Sequence, residues 1–166
     1  VNYSVAGLKI AIIDWDVHHG NGTEQIFASD PNILYCSNHQ HPLYPGSGTE
    51  LTLPGQGKGR RNVVNVPIVS GTSASEFLRK FDIVLSEVQR FEPEFIFISC
   101  GFDAHMDDPL GGLCLEDNDY YKMTKSVVGL ADLFCQGRII SVLEGGYDLE
   151  ALQSSAEAHM KGLLDC

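Results

Sequence analysis

Long hydrophobic runs are missing from this chain: no apolar stretch approaches the roughly 20 residues of a membrane span. The first residues, Val1-Asn2-Tyr3-Ser4, carry neither the basic start nor the long apolar stretch of a secretory signal. They also lack an initiator Met, so the chain is expected to begin inside a longer protein, with a cytoplasmic location expected and a nuclear one open if the source is a eukaryote. Paired cysteine motifs are absent. Cys36, Cys100, Cys114, Cys135 and Cys166 never form C-x-x-C and read as reduced thiols. Positive charge is scarce: 11 Lys and Arg stand against 22 Asp and Glu, a net charge of -11, which argues against direct nucleic-acid binding. Cationic ligands, such as lysine-rich segments or polyamines, are weakly favoured. There is no internal repeat, low-complexity tract or linker, and 166 residues with 43% apolar content suit a single soluble domain.

What is present is a repeated pattern of apolar runs ending in polar groups. Ile10-Ala11-Ile12-Ile13 reads as a buried strand and leads into Asp14-Trp15-Asp16-Val17-His18-His19-Gly20. Residues two apart share a face of an extended segment, so Asp14, Asp16 and His18 are expected to point one way, with Trp15 facing the opposite way as packing and His19 also on that side. Carboxylate and imidazole held this close suit a divalent metal such as Zn²⁺. The bland alternative is a polar turn after a strand. Three further runs repeat the arrangement: Ile33 to Cys36 into Ser37-Asn38-His39-Gln40-His41, Phe95 to Cys100 into Gly101-Phe102-Asp103-Ala104-His105, and Ile139 to Leu143 into Glu144-Gly145-Gly146-Tyr147-Asp148. In open α/β sheets, ligands bind outside the carboxyl ends of the strands.

The element order is strand, helix, strand, long loop, strand, helix, strand, loop, helix, strand, helix. That alternation means an α/β fold with a mostly parallel sheet. A short helix is expected over Glu24 to Ala28, an irregular loop over 38–61, and a strand over Asn62 to Val66 stopped by Pro67. Ser73-Ala74-Ser75-Glu76 fits a capping box, followed by Phe77, Phe81, Val84, Leu85, Val88 and Phe91 at helical spacing, with Pro93 as the stop. Further helices are expected over about Asp117 to Phe134 and Leu149 to Leu164.

Together with His39-Gln40-His41-Pro42-Leu43-Tyr44-Pro45-Gly46-Ser47-Gly48, Gly57-Lys58-Gly59-Arg60 and Asp108-Pro109-Leu110-Gly111, the Asp14–Thr23, Gly101–His105 and Leu143–Tyr147 segments resemble the histone deacetylase family. The likeness is to its class II and bacterial deacetylase-like branch. Each motif is weak alone; the ordered set, spread along nearly the whole chain, is specific. The resemblance implies the arginase/deacetylase fold, a parallel sheet with helices on both faces. It makes Asp16, His18 and Asp103 the zinc ligands and Tyr147 the electrophilic tyrosine. It gives Asp14 a supporting role toward a catalytic histidine and, with Ser37, a place at a monovalent cation such as K⁺. Asn21 falls where some relatives carry Asp and would orient a catalytic histidine. Tyr44 and Leu110 fall on walls of the substrate channel.

The chemistry agrees with this assignment. Two carboxylates and one imidazole leave zinc an open position, as in a catalytic site. A tyrosine hydroxyl opposite the metal can stabilise an oxyanion. The family's upstream His-His pair, which supplies general base and acid, is not found here, and His18-His19 is no substitute. Residues 1–166 are therefore expected to be the C-terminal half of one deacetylase catalytic domain, incomplete at the N-terminus and inactive in isolation. The implied reaction is zinc-dependent hydrolysis of an acyl-lysine amide in a protein or peptide. Acetylpolyamine hydrolysis is a close rival, although Leu110 stands where polyamine-selective relatives tend to carry an acid. A non-catalytic metal-binding fragment is a third reading. Among the other polar residues, His105 is expected beside the metal or on the surface. His39 and His41 are expected in a loop, His159 on the surface, Asp107-Asp108 in a plain turn, and Lys58, Arg60 and Arg61 in a solvated cluster.

Overall fold

The computed structural model describes residues 7–54 and 62–165; the Gly57–Arg60 motif, the Lys58, Arg60 and Arg61 cluster and Cys166 lie outside them. The elements are β1 (Ile10–Asp14), α1 (Asn21–Phe27), β2 (Ile33–Gln40), β3 (Val63–Ile68), α2 (Ala74–Phe91), β4 (Phe95–Cys100), α3 (Asp117–Phe134), β5 (Ile139–Leu143) and α4 (Leu149–Leu164). The strands form one sheet in the order β3-β2-β1-β4-β5, and every pairing is parallel. Strands are added on one side of β1 and then on the other. The boundary between β1 and β4 is thus a topological switch point, where a crevice opens beyond the carboxyl ends.

Alternation along each strand divides the apolar residues between two faces. Ala11, Ile13, Leu34, Cys36, Val64, Val66, Ile96 and Ile98 bury one face against Phe77, Phe81, Val84 and Val88 of α2 and Tyr120, Met123 and Val127 of α3. On the other face Ile12, Ile33, Tyr35 and Val63 pack with Ala28 and Phe27 at the end of α1. Helices therefore occupy both faces, as expected, but unequally. The seven residues of α1 leave Ile140 and Val142 of β5 45% and 48% exposed.

Local chemistry explains the boundaries. Ser73 caps α2 by accepting from the Glu76 amide at 3.4 Å, while the Glu76 carboxylate pairs with Arg79. The reciprocal capping box occurs instead on α3, between Glu116 and Asp119. Asp148 caps α4, its Oδ1 accepting from the Ala151 amide at 2.8 Å. Two strands outrun their expected limits. β2 continues to Gln40, so His39 is a fully buried strand residue and not a loop residue. β3 passes through Pro67 to Ile68 because it lies at the end of the strand order, where proline's missing N–H costs no ladder bond.

His159 is also not on the surface. It lies buried on the inner side of α4, with Nδ1 2.6 Å from Thr124 Oγ1 and Nε2 2.8 Å from Ser141 Oγ. The rings of Trp15 and Phe102 meet it edge-on at centroid distances of 5.8 and 6.0 Å. Burial lowers its pKa from 6.5 to about 4, so the ring is neutral in the folded protein. Its contribution to stability is complete above pH 6.5 and is lost as pH falls through about 4. Thermal melts across that window should therefore show a decline that His159→Gln, which retains hydrogen-bonding groups but does not titrate, largely removes. Equal pH slopes for the two proteins would exclude His159 as a source of acid sensitivity.

Candidate metal centre

The centre is assembled where β1, β4 and β5 end. β1 stops at Asp14, yet the alternation persists for four more residues, through His18. Trp15 and Val17 enter the main core, and Asp14, Asp16 and His18 line a cleft of about 460 Å³. The chain bends at Val17–His18, and there the pattern fails: His19 lines the same cleft rather than facing away. Asp103 arrives from the loop after β4, fully buried. Asp16, His18 and Asp103 each offer one ligand atom, and these atoms all lie within 4.8 Å of one another. His18 Nδ1 is 3.0 Å from Asp16 Oδ1 and 3.1 Å from Asp103 Oδ2. Donors on a tetrahedral zinc stand about 3.3–3.6 Å apart, given bonds of about 2.0–2.2 Å.

Backbone amides hold the two carboxylates. Asp16 Oδ2 accepts from the Gly145 amide and Oδ1 from the His18 amide, both at 2.8 Å. Asp103 Oδ1 accepts from the Val17 amide at 2.8 Å. The neighbouring glycines make this closeness possible. A Cβ on Gly145 would collide with Asp103 Oδ2 and Asp16 Oδ2, and one on Gly101 with the backbone and carboxylate of Asp16. Donor chemistry, spacing and this glycine cradle all fit a small divalent cation.

The electrostatics point the same way. Burial, then the charge of Asp16, raises the Asp103 pKa to about 7. Burial also raises Asp14 well above the carboxylate range, partly offset by the Tyr35 hydroxyl that donates to its Oδ2 at 2.9 Å. Carboxylates kept from ionising by burial and by each other gain most from a nearby cation.

The other expected site residues divide clearly. Tyr44, Leu110 and Tyr147 all line the cleft and are exposed, Tyr147 by 51%. Burial, followed by the charges of Asp103 and Asp16, raises the Tyr147 pKa, so its hydroxyl stays protonated at neutral pH. Ser37 pairs with Asp14 in register across β1 and β2, and its Oγ lies 2.8 Å from His39 Nδ1. Asn21 is exposed at the first position of α1 and does not line the cleft. His105 lies outside the cluster, its Nε2 3.6 Å from Asp117.

Sequence reasoning missed two groups. His19 is wedged between Ser47 Oγ at 2.8 Å and Glu24 Oε2 at 2.9 Å, with its ring 4.5 Å from that of His39. Asp108, expected in a plain turn, reaches across to the backbone of the Tyr147 loop. No local pattern marks the first group. For Asp108, the only local sign is the Asp-Pro-x-Gly turn chemistry.

Metal binding requires deprotonated ligands. With the Asp103 pKa near 7, a proton competes with the cation below that pH. Divalent-cation affinity should therefore rise as pH increases through 7 and then level off, as calorimetric titration would register. Affinity independent of pH below that point would remove Asp103 from the ligand set.

The comparisons with known proteins agree with this geometry. A family model described as "Histone deacetylase domain" matches residues 2–163. Histone deacetylase 14, chloroplastic, of Arabidopsis thaliana is 43% identical over 160 residues, covering 95% of this chain and 38% of that protein. The HDA15 HD domain crystal structure superposes with a TM-score of 0.86 at 40% identity, over 96% of this chain and 45% of the other. An acetylpolyamine aminohydrolase from Burkholderia pseudomallei gives a TM-score of 0.82 at 30% identity, over 94% of this chain and 45% of that one. The chain thus spans less than half the length of these relatives, and it shares their arginase/deacetylase fold. The chain belongs to the histone deacetylase family.

Proposed function

We propose that these residues form the C-terminal half of the catalytic domain of a zinc-dependent deacetylase that hydrolyses acyl-lysine amides in proteins or peptides. One observation carries this reading: in a two-carboxylate, one-imidazole cluster, Asp16 and His18 line a cleft at the switch point of the sheet together with an exposed tyrosine, and Asp103 is buried beside them. Asp16, His18 and Asp103 would hold the zinc. When bound, zinc polarises the amide carbonyl and lowers the pKa of a coordinated water. Tyr147, protonated at neutral pH, donates its hydroxyl to the carbonyl oxygen as negative charge develops there. Tyr44 and Leu110 flank the entering aliphatic chain, and the apolar Leu110 favours acyl-lysine over a polycationic polyamine. Asp14 and Ser37, adjacent across β1 and β2, are assigned to a monovalent cation such as K⁺. Asp14, with Asn21 at the start of α1, also orients a histidine supplied from outside these residues. A cytoplasmic location accompanies this reading.

The proton from the attacking water needs a base, and we assign that role to a part of the full-length protein beyond these residues. Residues 1–166 alone should hydrolyse acetyl-lysine peptides at background, since general acid–base help supplies about 10²–10⁴-fold. Robust turnover by the isolated chain, blocked by a hydroxamate, would place the base within it.

Two measurements on the full-length protein test the assignments. Purified protein should contain one zinc per chain, lost in Asp16→Ala, His18→Ala and Asp103→Ala; unchanged content in all three would refute the ligand set. Tyr147→Phe should lower kcat and kcat/KM together, by about 2.7–4 kcal/mol in transition-state stabilisation. An effect on KM alone would make Tyr147 a binding residue only. Higher kcat/KM for an N-acetylpolyamine than for an acetyl-lysine peptide would favour the polyamine alternative.

A further inference from the structure

We propose that Asp108 is a positioning residue for Tyr147, its one carboxylate tying together the Leu110 and Tyr147 segments of the cleft lining. This inference rests on Tyr147 facing the substrate, as proposed above. Asp108 is 6% exposed, and four backbone amides bond to its two oxygens. Oδ1 accepts from the Leu110 amide at 2.9 Å and the Gly111 amide at 3.3 Å. Oδ2 accepts from the Tyr147 amide at 2.7 Å and the Asp148 amide at 3.3 Å.

The two halves of this arrangement have different meanings. The Oδ1 bonds are the local ones that any Asp makes when it opens a turn. The Oδ2 bonds are not needed for a turn: they reach amides 39 and 40 residues along the chain. Burying a carboxylate is costly unless its lone pairs are satisfied, so the bridge is rigid once formed. It acts directly after Gly146. Gly145 and Gly146 precede Tyr147, and Gly146 has φ +140°, a region open to glycine. Asp148 follows and caps α4 through Oδ1. Tyr147 is therefore the single residue between the permissive Gly146 and a fixed helix start, and Asp108 Oδ2 pins its amide. Leu110, another residue lining the cleft, has its amide pinned by the other oxygen of the same group. A hydroxyl that stabilises a developing charge must be held near its working geometry, and a misplacement of about 1 Å can cost about 10²-fold in rate.

The informative variant is Asp108→Ser in the full-length protein. A serine hydroxyl can still serve the nearby Leu110 and Gly111 amides as a turn acceptor, but it is too short to span to Tyr147. Four results are expected. kcat should fall roughly 10- to 100-fold with KM little changed. Zinc content and melting temperature should be retained. By NMR hydrogen exchange, the Tyr147 and Asp148 amides should lose protection while Leu110 and Gly111 keep theirs. In a Tyr147→Phe background, the same change should cost less than about threefold, because the hydroxyl it positions is already gone.

Losses that multiply fully in the double variant would overturn the proposal, and so would a fall in zinc content that accounts for the lost kcat. If Asp108→Ser does not fold, exchange in the unaltered protein decides. Protected amides at Tyr147 and Asp148 support the bridge, and rapid exchange at both refutes it. The exchange result does not depend on turnover. A full-length protein that is inactive on acyl-lysine would refute the proposed function while leaving the bridge separately judged.

Discussion

The crowding of carboxylates where two of them are cut off from water is the constraint around which this molecule is organised. Asp14, Asp16 and Asp103 are gathered at one edge of a sheet, where burial first and the charge of Asp16 after it raise the cost of ionising Asp14 and Asp103. They are kept there by geometry that costs the chain little elsewhere. Parallel strands that all end at the same edge release unpaired amides in the loops beyond them, and those of Val17, His18 and Gly145 point at carboxylate oxygens. Glycines at 101 and 145 remove the side chains that would otherwise hold the loops apart. The cluster has the charge and the spacing of a site completed by a cation.

The two sides of the sheet share the work unequally. Beneath the site lies the main core, where Trp15 and Val17 anchor the ligand-bearing segment between helices α2, α3 and α4. Above it, Tyr44, Leu110 and Tyr147, which flank the cleft, are exposed and belong to loops. A rigid floor fixes the ligand atoms, while the wall depends on a few polar tethers such as those from Asp108 and His19. Substitutions in the floor should act through stability, and substitutions in the wall through geometry.

How much was legible in the sequence follows from the range of the interactions. The period-two pattern through Asp14, Trp15, Asp16, Val17 and His18 separates cleft residues from core because both fates are set by one extended segment. The bounds of α3 and α4 fall where the sequence reading puts them. What escaped depends on distant partners. His159 is buried only because Thr124 and Ser141 meet it, and its own helix gives no sign of them. His19 breaks the alternation because the chain bends to meet Glu24 and Ser47. β3 survives Pro67 because of its place in the strand order, which local propensity does not encode.

The bond from the Gly145 amide to Asp16 joins groups 129 residues apart, and that from the Val17 amide to Asp103 spans 86. Contacts of such separation form late, because the loop-closure entropy must be overcome before they contribute anything. A nascent or partly unfolded chain therefore has His18 and Asp16 side by side but no third ligand, and it has no glycine cradle to close around them. A cation cannot nucleate this fold in the way it nucleates a small zinc module. On the proposed ligand assignment, a cation would be captured only by a sheet already formed, so its uptake would mark the last stage of folding.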